Sequence, residues 1–174
     1  MVRPVVLAVA FVSFTLSASA QLSGSPAHNH PGLAPTQQID GSVNPEKIPD
    51  LTAYRLFFLV AGTTPNSKPE DLARRQAHIR KIGLTEQDNQ LLIPILNDFC
   101  AQYADLIQQY NASAKALATR GQVADPKPFL LVRDNLVQTT REKLKVLTPE
   151  GVSRLDQHVQ REKRGMKSVL PASQ

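Results

Sequence analysis

The chain has no tryptophan, one cysteine and only two methionines in 174 residues. A single cysteine excludes an internal disulfide framework and any thiolate-rich zinc fold. The sequence contains no Gly-x-Ser-x-Gly elbow, phosphate-cradling glycine loop, His-Glu-x-x-His helix or EF-hand loop. The acidic residues are read as spread over solvent-facing helical positions, not paired for catalysis. No enzyme is expected on these grounds, and no cofactor. Aromatic residues make up 5% of the chain, too few for a stacking platform, so no nucleic-acid partner is expected either.

The first strong feature that is present lies at the start. Arg3 precedes an apolar stretch from Val5 to Leu16, and Ala18-Ser19-Ala20 supplies a small-x-small pattern. That combination predicts a signal peptide over residues 1–20, cleaved before Gln21. The apolar stretch is shorter than a bilayer requires, so no membrane span is expected after cleavage, and the product is placed in the periplasm or outside the cell. The whole chain carries 20 basic and 15 acidic residues. Loss of Arg3 leaves a net charge of +4, and Arg141–Lys167 alone holds an excess of four basic groups. Such a segment suits acidic polypeptide partners or is simply a solvated helix face.

Residues 21–50 hold five prolines and three glycines and read as a flexible leader. His28 and His30 within it are weak metal candidates, because two imidazoles without a third ligand make a poor site. Residues 51–167 are expected to form one helical domain, followed by a disordered tail over 168–174. The first helix should be capped by Asp50 and run to Ala61, with Leu56-Phe57-Phe58-Leu59-Val60 buried on every side, although a strand competes for so short a run. Ser67 and Glu70 suggest a capping box for the next, which should end near Gly83.

Thr85 should start a long helix reaching about Thr119, kinked at Pro94 and stopped by Gly121. Its stripe is Leu92, Leu96, Phe99, Tyr103, Leu106 and Tyr110. Asp125-Pro126 should open a fourth helix, with Phe129, Val132, Leu136 and Leu144 facing the core. Thr148 should cap a fifth, with Val152, Leu155 and Val159 on one side and Arg154, Arg161 and Arg164 on the other. No alternating pattern predicts a strand after residue 67. The fold class is all-α: long antiparallel helices in a hairpin or small bundle. Cys100, next to the stripe, is expected to be a buried thiol.

Two helix starts echo each other across 63 positions: Leu84-Thr85-Glu86-Gln87-Asp88 and Leu147-Thr148-Pro149-Glu150-Gly151. In each, Thr caps the helix and the preceding Leu can staple onto its first turn. The pair resembles the periplasmic Spy/CpxP-like family, which carries two Leu-Thr-x-x-Gln motifs. This chain has Asp88 and Gly151 where that family has Gln. The resemblance implies a thin, helical, dimeric fold acting as an ATP-independent chaperone or envelope-stress accessory.

The expected function is therefore that of an exported helical protein that binds polypeptide clients or a partner protein. Arg154, Arg161 and Arg164 are the candidate contact residues, Leu84, Thr85, Leu147 and Thr148 the helix-start motifs, and a homodimer is one way to cover excess apolar surface. The alternatives are a metal-binding or metal-stress protein using His28, His30 and one of His78 or His158, and a structural accessory subunit without ligand.

Overall fold

The computed structural model describes residues 36–64 and 67–171. The signal peptide, most of the leader and both His28 and His30 lie outside the described residues. The described chain is helical, as its fold class requires, with one two-stranded sheet. In order it runs β1 (Thr36–Asp40), α1 (Asp50–Ala61), α2 (Pro69–Arg80), α3 (Glu86–Ala118), α4 (Lys127–Lys143), α5 (Pro149–Glu162) and β2 (Lys167–Pro171). None of these helices is long and apolar enough to cross a membrane.

The helix α1 is the hub. It packs against α2, α3, α4 and α5, so its apolar residues are enclosed from several directions. Ala53, Tyr54, Phe57, Phe58 and Ala61 are buried, while Val60 is 51% exposed, so one side of the run reaches solvent. Phe58 packs on Phe99 of α3 with tilted rings, their centroids 4.9 Å apart. Gly62 ends α1 where a Cβ would sit 2.6 Å from the Leu96 carbonyl oxygen and 2.5 Å from Cys100 Sγ, so glycine is required by close approach. Cys100 is buried, its thiol donating to the Phe58 carbonyl, and burial raises its pKa.

The helices α3 and α4 are antiparallel: Asp98 meets Lys143 at one level and Tyr110 meets Phe129 at another. The 33 residues of α3 run without interruption through Pro94. Gly121, at φ +70°, turns the chain toward α4 in the left-handed region that favours glycine.

Several boundaries differ from those the sequence suggested. Residues 36–50 do not belong to a flexible leader: Ile39 and Ile48 are buried, and β1 pairs antiparallel with β2 from Thr36–Pro171 to Asp40–Lys167. Residues 168–171 likewise do not belong to a disordered tail, because they are in β2. Each strand is too short to show in a pattern, and it is ordered by a partner some 130 residues away. Asp50 opens α1 but caps nothing; its carboxylate accepts from Lys163 Nζ at 2.5 Å and from Gln160 at 3.1 Å. These bonds hold its pKa below the usual range, with Lys163 the larger cause. Ser67 forms no capping box, since Pro69 takes the first helical position and the Ser67 hydroxyl accepts from the Thr64 N–H instead.

Candidate functional site

The two Leu-Thr helix starts meet in space, and the residue that joins them is Asp88. Thr85 Oγ1 accepts from the Asp88 N–H at 3.1 Å and so caps α3; Thr148 Oγ1 accepts from the Gly151 N–H at 3.0 Å and caps α5. Each threonine hydroxyl then donates its own proton to Asp88 Oδ2, at 3.0 Å from Thr85 and 2.8 Å from Thr148. Asp88 Oδ1 accepts the Thr148 N–H at 2.8 Å. Asp88 is fully buried, which corrects the reading of the acids as solvent-facing. Its pKa is lowered, first by the Thr148 N–H and then by the Thr148 and Thr85 hydroxyls, against the opposing effect of burial.

The fifth positions of the two helix starts, Asp88 and Gly151, fit each other in space. A Cβ on Gly151 would lie 2.6 Å from Asp88 Oδ2, so Asp at the fifth position of one copy requires the smallest residue at the fifth position of the other. Leu147 is buried and Leu84 packs on the core beside it. Arg154 completes the joint: its guanidinium donates to the Gly83 carbonyl and pairs with Glu150 at 2.6 Å. Of the three arginines proposed as a contact ridge, Arg154 is therefore occupied in holding α5 to the turn before α3. Arg161 and Arg164 are exposed.

A second feature is the outer part of the α3–α4 hairpin, which forms an arm. The last buried residue of α3 is Cys100 and the first of α4 is Val137; none of the residues 101–136 is buried. Tyr103, Leu106 and Tyr110 of the sequence stripe are only half-buried, Tyr103 at the edge of the core and Tyr110 against Phe129 of α4. Val132 does not face a core as expected but is 52% exposed, with Leu131 at 64% and Leu130 at 37%. A cleft of about 350 Å³ runs between the two helices, lined by Leu106, Tyr110, Leu117, Pro128, Phe129 and Val132.

Third, α2 and α5 bring His78 and His158 together, with Nε2 atoms 3.4 Å apart. Phe57 packs against both imidazoles, and burial lowers the pKa of His158. Among the described residues no group of three His, Cys, Asp or Glu side chains stands ready for a metal ion. No protein-family model, curated protein or solved structure matches this chain.

Sequence reasoning missed the arm and the bridging role of Asp88. The signal for the arm was available in outline: a 33-residue helix outreaches a 12-residue partner. Asp88 offered no separate signal, because an acid three residues after a threonine cap already has a local explanation.

Proposed function

We propose that this is an exported polypeptide-binding protein, with the α3–α4 arm as its contact surface, acting as an ATP-independent chaperone. The observation that supports this reading is the arm itself. Over residues 101–136 no side chain is buried, while Ile107, Leu130, Leu131 and Val132 offer apolar surface beside an open cleft. Contiguous apolar surface on a soluble body is where other chains bind. A patch this small makes weak, exchangeable contacts, which suits clients that must be released without nucleotide. Arg161 and Arg164 add a positive field that speeds encounter with acidic chains.

The test is light scattering of an aggregating client in the presence of the mature protein. Protection should appear near equimolar dose and fall sharply for Leu130→Ser/Leu131→Ser/Val132→Ser, with helical content unchanged. No protection by the native protein would replace the chaperone reading with that of an accessory subunit.

A further inference from the structure

His78 and His158 are 80 positions apart in sequence, yet their rings meet with centroids 5.1 Å apart and planes at 75°. Their nitrogens approach to 3.4 Å, longer than an ordinary hydrogen bond between ring nitrogens. A straight Nε2–H···Nε2 bond of that length would hold the centroids about 5.7 Å apart, since each nitrogen lies about 1.15 Å from its ring centre. The rings are closer than that, so the two nitrogens do not lie on one straight line through both ring centres. Two imidazoles sharing one tetrahedral ion, each bonded at about 2.05 Å, have nitrogens about 3.35 Å apart and centroids roughly 5.2 Å apart. Both observed separations match this arrangement within about 0.1 Å. A square-planar ion, with a right angle between the two bonds, would require about 2.9 Å between the nitrogens.

We infer that His78 and His158 form a two-imidazole site for a tetrahedral divalent ion, Zn²⁺ in the first instance, that links α2 to α5. The surroundings suit this. Phe57 lies against both rings, at 6.1 Å from His78 and 5.9 Å from His158, and so limits their rotation. His78, though not the buried His158, lines a cleft of about 60 Å³ with Glu162 and Met166, from which an ion would first meet His78. Glu162 stands one turn beyond His158 on α5, where its carboxylate can approach an ion held by the two rings. Lys81 and Arg161 also act on His158 and oppose a cation there, while Glu162 favours one. With two preformed ligands the site is labile, with micromolar affinity and positions left for water.

Equilibrium dialysis against ZnCl₂ tests this, using the mature chain with His28→Ala and His30→Ala so that the leader contributes nothing. One Zn²⁺ should bind per chain, and Co²⁺ in its place should give the intense visible absorption of a tetrahedral ion. Adding His78→Gln, at a half-buried position that leaves the helices intact, should weaken zinc binding about tenfold or more and abolish the cobalt band. Zinc should also raise the melting temperature of the background protein and not that of the His78→Gln variant, because the ion joins two helices. No zinc binding by the background protein, or equal binding after His78→Gln, would overturn the site. Neither result depends on client protection, so this inference and the polypeptide-binding reading fail separately.

Discussion

Leu56-Phe57-Phe58-Leu59-Val60 in α1 and Pro128-Phe129-Leu130-Leu131-Val132 in α4 are close to the same apolar peptide, and the fold covers the first four residues of the first run more than those of the second, although Val60 and Val132 are equally exposed at 51% and 52%. Phe57 and Phe58 are 3% and 0% exposed, whereas Leu131 and Val132 are 64% and 52% exposed. The cause is the number of neighbours. Four helices surround α1, whereas the first turns of α4 set Phe129 against Tyr110 of α3 and bury no residue. At 1.5 Å per residue α1 is about 18 Å long and α3 about 50 Å, so α3 carries α4 well past the end of the core. A helix that is apolar all round is normally enclosed. Each large side chain left in water forgoes about 1.5–3 kcal/mol of burial, so an apolar surface kept in that state is better explained by binding than by stability.

The most direct way to break this contrast is to truncate one residue from each run. Phe58→Ala should cost about 3–5 kcal/mol, since it empties the centre of a closed core. Leu131→Ala should stay within about 0.5 kcal/mol, as an exposed substitution does. Urea denaturation followed by circular dichroism measures both. Similar losses for the two variants would mean that the arm is covered after all, for instance by a second copy of the chain.

A smaller effect belongs to the joint between the two helix starts. Gly151→Ala forces the Asp88 carboxylate out of its bonds with both threonines and should cost about 1–3 kcal/mol. The same carboxylate makes the body sensitive to acid. Its folded pKa is lowered below the unfolded value of about 3.9, so its contribution is complete above that pH and is lost as pH falls through the folded pKa. Urea midpoints at pH 7 and pH 3 should differ less for Asp88→Asn than for the native chain. A residual difference will remain, because Asp50 and Asp98, each bonded to a lysine, are also lowered.

What the sequence made legible follows the same line between local and distant causes. Thr85 and Thr148 were readable as caps because a cap acts within one turn, and both cap as expected. Gly83 and Gly121 were readable as stops because each takes a positive φ beyond a helix end. That the two starts touch was not readable, since Asp88 reaches Thr148 across 60 positions. Residues 36–50 looked flexible from their prolines and glycines. Their order depends on β2 and on a cradle so tight that a Cβ on Gly41 would lie 1.9 Å from the Lys163 carbonyl oxygen. The stripe of α3 was read correctly to Phe99. Tyr103 still packs at the edge of the core; beyond it the same spacing continues without a core to meet, and periodicity does not report how many helices lie opposite.

The smallest effect separates the arginines that α5 turns away from its apolar side. Arg154 bonds the Gly83 carbonyl and Glu150 at the joint, while Arg161 and Arg164 lie further along on exposed surface. Arg154→Ser should therefore cost about 0.5–1.5 kcal/mol, the range for a hydrogen bond made by a half-exposed charge. Arg161→Ser with Arg164→Ser should change stability by less than about 0.5 kcal/mol. In client protection the order should reverse. The double variant should be weaker than the native chain at low salt and indistinguishable near 0.15 M, where the Debye length is about 8 Å and exposed charges are screened. Arg154→Ser should protect like the native protein once it is assayed below its lowered melting temperature. Thermal melts and light scattering at the two salt concentrations measure these effects. If all three arginines lower protection equally without changing stability, they act together as one ridge and Arg154 is not part of the joint. If the double variant protects normally at low salt, encounter does not depend on charge, and the apolar arm accounts for binding by itself.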